Sequence, residues 1–260
     1  MTSLVEVTRG GDGVARVTLT RSEKRNALSG ALIDGLMQAV SELSREEDLR
    51  CVVLTGAGPA FSAGADVAEL GAVTQATAEA FITRLHGACR AVRDCPVPVI
   101  ARIDGACMGG ALELAASCDM RAASDRSTFS MPEVQIGIPS VIEAALLPRL
   151  MGWGRAAELL LTGRTMDANE ALQAGLIERC VPAGELDRAV AAWTDAICAA
   201  GPRAIRAQKA LMRRWEGGRE DAAIAEGITA FREAHGSEEP RSKLQEALAR
   251  GGHRRPRRED

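Results

Sequence analysis

Apolar and polar residues alternate near the start of the chain, and this alternation predicts a pair of β-strands. It runs through residues 5–8 and 14–19, and the glycine-rich residues 10–13 between them are typical of a hairpin turn. Ser29 is a favourable N-cap for a helix that ends at about Leu43 and carries an apolar stripe on one face. We therefore expect a hairpin followed by an amphipathic helix.

The same analysis predicts alternating strands and helices up to about residue 117. Short apolar runs at residues 52–54 and 99–101 are typical of buried strands. A helix is predicted at 75–93, ending before a segment that contains two prolines, and a second helix follows a glycine-rich turn and ends at Ser117. This alternation indicates an α/β fold.

From about Glu143 onward the pattern becomes almost entirely helical, with one short strand predicted at 177–181. Apolar stripes predict helices near residues 153–162, 167–173, 186–199, 203–215 and 220–233. Gly201-Pro202 indicates a boundary. We expect a core over residues 1–200, a helical oligomerisation region over 201–250 and a disordered tail over 251–260.

Composition narrows the class of protein. The chain has 260 residues, a formal net charge of −3, only 3% aromatic residues and no tyrosine, so neither a broad basic surface nor stacking side chains favour nucleic acid binding. The basic tail could bind nucleic acid, but we interpret it as a frayed end. Seven irregularly spaced cysteines indicate reduced thiols, and three distant histidines argue against a metal site. With no signal peptide and no apolar run of roughly 18–20 residues, we expect a soluble cytoplasmic protein.

Two glutamates stand out because their surroundings are apolar. Glu113 and Glu133 each lie in a segment of small or aliphatic residues with glycine or proline nearby. A carboxylate in such surroundings costs several kcal/mol unless it is paired, hydrated or neutralised. Each could be structural, Glu113 as a paired helix residue and Glu133 as a cap on a turn. Together they are typical of general acid–base chemistry.

Two glycine-containing loops could supply hydrogen-bond donors to a single oxygen. Residues 55–58 follow a predicted strand, but Phe61 stands where a dinucleotide-binding fingerprint needs glycine. Small residues surround Gly64, and Gly109-Gly110 precedes a predicted helix, so a ligand could approach the backbone closely at both places. One N–H from each loop would form an oxyanion hole, although such glycines are also common in simple turns.

Four segments in this order resemble the crotonase, or enoyl-CoA hydratase/isomerase, superfamily, and most closely its enoyl-CoA hydratases. They are residues 21–28 (RSEKRNAL), 60–67 (AFSAGADV), 103–119 and 130–139 (SMPEVQIGIP). The resemblance implies an α/β spiral of ββα turns with a C-terminal helical region that trimerises. It therefore implies a homotrimer or a homohexamer.

The resemblance also implies roles for individual residues. The N–H groups of Ala65 and Gly110 would form the oxyanion hole for the thioester carbonyl. Glu113 would activate a water molecule, and Glu133 would exchange the proton at C2. The acyl-CoA substrate would lie against Lys24, Arg25, Ala27, Ala63, Ala65, Asp66, Val67 and Gly110. Without the resemblance, Lys24 and Arg25 would be interpreted as ordinary surface charge.

The implied reaction is the addition of water across the C2–C3 double bond of a 2-enoyl-CoA, as in fatty-acid or related acyl-CoA catabolism. No metal and no cofactor is expected, since coenzyme A is part of the substrate. Isomerisation of 3-enoyl-CoA and hydrolysis of an acyl-CoA are alternatives, because some branches keep only one of the two glutamates. A non-catalytic RNA-binding relative is a further alternative that the retained glutamates disfavour.

The segment after Pro139 departs from the glycine-rich run of many hydratases. Ser140 and Glu143 have the S-x-x-E spacing of an N-terminal capping box, and we predict that function for them. A direct role of Glu143 in the acyl pocket is the alternative. Val141 and Ile142 are expected to reshape that pocket, and Asp119 is expected to be structural.

Overall fold

The computed structural model describes residues 3–216 of the chain, which fold into short strands and helices. The strands are β1 (Val5–Arg9), β2 (Val14–Leu19), β3 (Cys51–Gly56), β4 (Ala60–Ser62), β5 (Val99–Ile103), β6 (Ala106–Met108), β7 (Met120–Ser124), β8 (Thr128–Ser130), β9 (Thr165–Asp167) and β10 (Arg179–Val181). The helices are α1 (Gly30–Leu43), α2 (Val67–Gly71), α3 (Gln75–Asp94), α4 (Gly110–Ala116), α5 (Leu147–Met151), α6 (Trp153–Thr162), α7 (Ala168–Ala174), α8 (Leu186–Ala199) and α9 (Pro202–Trp215). Short 3₁₀ turns occur at Ser22–Lys24, Pro132–Ile136, Ile142–Leu146 and Ala183–Glu185.

The strands form two sheets. The larger has the order β1-β2-β3-β5-β7-β10 and is parallel except for the β1–β2 hairpin. The smaller has the order β4-β6-β8-β9, with only β9 antiparallel to its neighbour. The chain contains three successive strand pairs, β3–β4, β5–β6 and β7–β8. In each pair the first strand belongs to the larger sheet and the second to the smaller one, and helices follow each pair. This repeating ββα course is a spiral, and it confirms the predicted fold class.

The first helix illustrates how the sequence pattern becomes packing. The Ser29 hydroxyl oxygen accepts a hydrogen bond from the Leu32 N–H at 3.4 Å, as an N-cap should. Leu32, Leu36 and Leu43 are fully buried, and the helix packs against α3. The predicted cap and apolar stripe are therefore confirmed.

Asp119 joins the end of α4 to the start of β5. Its Oδ2 accepts a hydrogen bond from the Val99 N–H at 2.7 Å, and the Asp119 N–H donates to the Val99 carbonyl at 2.8 Å. The interpretation of Asp119 as structural is thus confirmed.

The prediction of an almost wholly helical second half is wrong at β9. This three-residue strand pairs with β8 at the edge of the small sheet, with Met166 opposite Phe129. It is too short to show alternation, and only its partner makes it a strand. The helix predicted from residue 167 begins at Ala168, because Asp167 is its N-cap and accepts a hydrogen bond from the Glu170 N–H at 2.8 Å.

The chain divides into two compact units between Asp195 and Ala196. The predicted segments 1–200, 201–250 and 251–260 stay a prediction, because the described residues end at 216. The helix predicted at 220–233, the tail and most of the predicted trimerisation region lie outside the described residues. No helix between residues 3 and 216 is long and apolar enough to cross a membrane.

Candidate active site

A cavity of about 550 Å³ lies within the first unit. Its wall is mostly apolar and comes from α2, α3, the loop before α2, the start of α4 and residues 132–141. Its ionisable wall residues are Glu79, Glu113 and Glu133, and Ser140 lies beside the last of them. An apolar cavity with a few polar groups is the usual form of a small-molecule site.

Two loops meet at one side of this cavity because a glycine allows it. Gly64 has φ +86°, and a Cβ atom added to it would lie 2.5 Å from the Met108 carbonyl oxygen and 3.6 Å from the Gly110 nitrogen. Any side chain at Gly64 would therefore be strained and would also push the two loops apart. The two loops predicted to donate to one oxygen therefore lie side by side, while the close approach of a ligand to their backbone stays a prediction.

The backbone N–H groups of Ala65 and Gly110 are available at this meeting point. Both residues line the cavity. Leu28 pairs with the residues on either side of Ala65: its N–H donates to the Gly64 carbonyl at 2.8 Å, and its carbonyl accepts from the Asp66 N–H at 3.3 Å. Within residues 3–216, neither the Ala65 nor the Gly110 N–H has an acceptor. Two such donors in one cavity can stabilise a negative charge that develops on an oxygen.

Glu113 lies on the buried helix α4 and is only 3% exposed. Its Oε1 accepts a hydrogen bond from the Ala144 N–H at 3.1 Å. Burial raises the pKa of this carboxyl to about 8, and the charges of Glu133 and Glu143 add to the rise, while the Ala144 hydrogen bond opposes it. Glu113 can therefore exchange a proton near neutral pH.

Glu133 is held differently, on the 3₁₀ turn Pro132–Ile136. It is half-buried, and its Oε2 accepts a hydrogen bond from the Ser140 hydroxyl at 2.8 Å. Its Oε1 lies beside Gly109, where an added Cβ would come within 2.4 Å of it. The Glu133 carboxylate thus has the Ser140 hydroxyl on one side and, on the other, the backbone of Gly109, which has no side chain to displace it.

The predicted capping box of Ser140 and Glu143 is wrong. The turn Ile142–Leu146 begins after Val141 without a side-chain cap, because the Ser140 hydroxyl donates to the Glu133 carboxylate instead. Charged acceptors make stronger hydrogen bonds than neutral ones. Glu143 is buried and pairs with His86, and it is not part of the cavity wall, so it does not form the acyl pocket either. Val141 does line the cavity, whereas Ile142 does not.

The segment predicted to contact coenzyme A runs alongside the cavity without lining it. Lys24 and Arg25 are exposed, and Ala27 is half-buried. The Arg25 carbonyl accepts a hydrogen bond from the Ala63 N–H at 2.9 Å, which fastens this segment to the loop before α2. A ligand that leaves the cavity past Ala63 would therefore meet the exposed cations.

Asp66 supports the same loop from inside. Its Oδ1 accepts hydrogen bonds from the N–H groups of Ala68, at 2.9 Å, and Glu69, at 3.2 Å, so it caps α2. Its other oxygen pairs with Arg21, which lowers the pKa of the Asp66 carboxyl. The side chain is therefore committed to the loop, and contacts with a ligand at Asp66 would use the backbone.

The profile of the enoyl-CoA hydratase/isomerase family matches residues 9–249 of the chain. The chain belongs to this family. A probable enoyl-CoA hydratase from Mycobacterium tuberculosis is 36% identical over 220 residues, which cover 83% of this chain and 82% of the relative. A short-chain-enoyl-CoA hydratase from Clostridium acetobutylicum is 32% identical over 233 residues, covering 89% of each chain.

Solved structures of family members share the fold. An enoyl-CoA hydratase from Bacillus anthracis superimposes with a TM-score of 0.91 at 29% identity, covering 95% of this chain and 96% of that one. One from Mycobacterium smegmatis superimposes with a TM-score of 0.90 at 31% identity, covering 97% and 98%. The resemblance to the crotonase superfamily, closest to its hydratases, is confirmed.

The cavity brings together six of the ten residues that family resemblance suggested for the site, and four lie outside its wall. Those in the wall are Ala63, Ala65, Val67, Gly110, Glu113 and Glu133. Those outside it are Lys24, Arg25, Ala27 and Asp66. Sequence reasoning missed Ser140 and the apolar wall of Leu70, Val73, Phe81, Ile82 and Leu85. The apolar positions of α3 could have indicated part of that wall, but no sequence pattern indicated that Ser140 contacts Glu133.

Proposed function

We propose that the protein adds water across the C2–C3 double bond of a 2-enoyl-CoA thioester. One observation carries this proposal: Glu113 and Glu133 line the same apolar cavity as the unengaged N–H groups of Ala65 and Gly110. Coenzyme A is part of the substrate, and the reaction as proposed needs only acid–base groups and hydrogen-bond donors.

The first step is polarisation of the thioester. Its carbonyl oxygen accepts hydrogen bonds from Ala65 and Gly110, which draws electron density from C3 through the conjugated double bond. As the water oxygen bonds to C3, negative charge develops on the thioester oxygen and is stabilised by the two N–H groups. Loss of one such donor typically lowers the rate by about 10²–10³.

The second part is proton transfer. Before hydration the two carboxyls hold one proton between them, on Glu133. The ionised Glu113 takes a proton from water as the water oxygen bonds to C3, and Glu133 gives its proton to C2 as the enolate collapses. The proton now on Glu113 returns to Glu133 through solvent before the next turnover. With a pKa of about 8 for Glu113, the pair loses its last proton as the pH rises through about 8, so kcat/KM for hydration should fall over that range. Dehydration, where protonated Glu113 donates to the leaving hydroxyl, should follow the same profile, because the equilibrium constant for adding water does not depend on pH.

The substrate's nucleotide end would lie along the segment that carries Lys24, Arg25 and Ala27. The exposed side chains of Lys24 and Arg25 are suited to binding phosphates, and the backbone near Asp66 borders the same region. The assembly proposed for the active protein is a homotrimer or homohexamer. Light scattering at micromolar concentration tests it, and a stable monomer would contradict it.

Product analysis tests the reaction itself. The protein is incubated with 2-enoyl-CoA and 3-enoyl-CoA thioesters of increasing chain length in ¹⁸O-labelled water, and the products are examined by mass spectrometry. Hydration places ¹⁸O in a 3-hydroxyacyl product made from 2-enoyl-CoA. Conversion of 3-enoyl-CoA to 2-enoyl-CoA without incorporation of ¹⁸O would show that the reaction is isomerisation and not hydration. Release of free coenzyme A would show that it is hydrolysis.

A further inference from the structure

One further carboxylate, Glu143, lies next to the site but outside the cavity wall. Glu143 is 7% exposed, and its Oε1 is 2.9 Å from Nδ1 of His86 on α3, where an Nδ1–H donates to it. Its Oε2 is buried without any hydrogen-bond partner among the described residues. A buried carboxylate satisfied on one side only is destabilising, so its presence calls for a reason.

The backbone on either side of Glu143 gives that reason. Ile142 has φ +38°, a conformation that a β-branched residue rarely adopts and that persists only when neighbouring contacts enforce it. On the other side, the Ala144 N–H donates to Oε1 of Glu113. One strained turn therefore connects the His86 contact to the carboxylate proposed as the base.

We propose that His86 and Glu143 are a positioning pair for Glu113, an inference that rests on the proposed hydration. Their hydrogen bond fastens the turn Ile142–Leu146 to α3, so that the Ala144 N–H stays on Oε1 of Glu113. The other oxygen of Glu113, which has no hydrogen bond within residues 3–216, is then held toward the water that it activates. A displacement of about 1 Å at such a group can cost about a hundredfold in rate.

Among residues 3–216, three other titratable groups are close to Glu143. His86 and Cys89 face it from α3, and Glu113 faces it from α4. Burial is the largest cause of the raised pKa of the Cys89 thiol, and the charge of Glu143 is the next. The thiol therefore stays neutral. The Cys89 thiol can also donate a hydrogen bond to Glu143, but Cys89 is buried. The His86 side chain is 44% exposed, so it can be replaced without opening the core.

The test compares three substitutions on α3. His86→Ala removes the contact, His86→Asn restores a donor near the Nδ1 position, and Arg90→Ala is the control because it breaks an exposed ion pair with Asp94 on the same helix. We expect kcat for hydration to fall at least tenfold in His86→Ala with KM within twofold. We expect His86→Asn to regain most of that loss and Arg90→Ala to match the wild type.

A second readout does not depend on turnover. Carbon-13 NMR of the glutamate carboxyls, with the Glu113 signal assigned by its loss in Glu113→Gln, follows the titration of Glu113. In His86→Ala its pKa should rise above the wild-type value, because the Ala144 hydrogen bond weakens and the Glu143 charge loses its partner. This measurement tests the positioning pair even if the wild type proves to hydrate no enoyl-CoA.

If His86→Ala does not fold stably, a double variant still tests the positioning pair. The double variant His86→Ala/Glu143→Gln removes the unpaired charge while still lacking the contact, so it should fold and show the same loss of kcat. The proposal is overturned if His86→Ala turns over at the wild-type rate with an unchanged Glu113 titration. It is also overturned if His86→Asn is as impaired as His86→Ala, since the contact then would not be what matters.

Discussion

Two of the three carboxylates in the cavity wall, Glu113 and Glu133, are held in opposite ways. Glu113 is on a buried helix and bonds to a backbone N–H, and burial raises its pKa to about 8. Glu133 is half-buried on a one-turn 3₁₀ segment and bonds to the hydroxyl of Ser140. One carboxylate is thus positioned by the core and the other by local contacts of a surface segment. Environment, more than residue type, separates the roles of two like groups in one site.

The largest expected effect comes from replacing each carboxylate in turn by a neutral amide. Glu113→Gln and Glu133→Gln keep the size of the side chain but remove its ability to take up or give a proton. If both act on one water, each should lower kcat for hydration by at least about 10² with little change in KM. The double variant should lose much less than the product of the single losses, because groups that act as a unit are not additive.

The controls for these variants are their fold and their substrate preference. Circular dichroism should show native secondary structure in each. A folded Glu113→Gln protein with near wild-type hydration would falsify the two-glutamate mechanism. If only Glu133→Gln were inactive and 3-enoyl-CoA the better substrate, isomerisation would be the reaction instead.

The second prediction concerns stability, where burial of Glu113 should show a cost that depends on pH. Its pKa is about 8 in the folded protein against 4.5 for the exposed group. Between these values the folded state binds more protons than the unfolded one, so stability falls as the pH rises. Relative to Glu113→Gln, the wild type should lose about 1.4 kcal/mol of unfolding free energy per pH unit, or about 4 kcal/mol between pH 5 and pH 8.

Urea denaturation of both proteins at several pH values measures this difference. Taking the difference between the two proteins cancels the titration of all other groups that the substitution leaves alone. A difference that stays flat from pH 5 to pH 8 would mean that Glu113 is ionised in the folded state at low pH, and the proposed fall of kcat/KM above about pH 8 would then also fail.

The third prediction disturbs Glu133 through the backbone. In Gly109→Ala the new Cβ would lie 2.4 Å from Oε1 of Glu133, at a residue with φ +53°. The carboxylate must move, and kcat should fall by roughly tenfold to a hundredfold. Gly137→Ala is the matched control. Gly137 ends the 3₁₀ turn that carries Glu133, and it also has a positive φ, +80°, but it has open space around it. It should lose about 1 kcal/mol of stability and keep its kcat. Equal kcat values for the two variants would contradict the orientation of Glu133 described here.

The sequence predicted the core-held half of the site better than the surface-held half. The helix that carries Glu113 and the glycine loop around Gly64 follow from apolar periodicity and from the conformational needs of glycine. The apolar surroundings indicated Glu133 and the family resemblance gave it a role, but neither indicated the contact that orients it. Ser140 matched a capping box, and only the three-dimensional arrangement shows that its hydroxyl bonds to a carboxylate.

Contacts between distant residues explain the other failures. His86 and Glu143 are 57 positions apart in the chain, and no local pattern connects them. The strand β9 has three residues and depends on its partner β8. Periodicity describes elements long enough to repeat, whereas 3₁₀ turns, edge strands and pairs across the core are decided by tertiary packing.

The smallest expected effect comes from the hydroxyl that orients Glu133. Ser140→Ala removes the hydrogen bond to Oε2 but leaves the turn, the charge and the bare backbone at Gly109 in place. A single hydrogen bond to a charged group contributes about 1.5–3 kcal/mol when buried, and less at a half-exposed site where water can replace the donor. We therefore expect kcat to fall about threefold to tenfold, with KM and the unfolding midpoint nearly unchanged. Ser140→Thr keeps the hydroxyl and should retain most of the activity. If Ser140→Ala instead lowered stability without touching kcat, Ser140 would be a turn residue, and Glu133 would be oriented by the backbone alone.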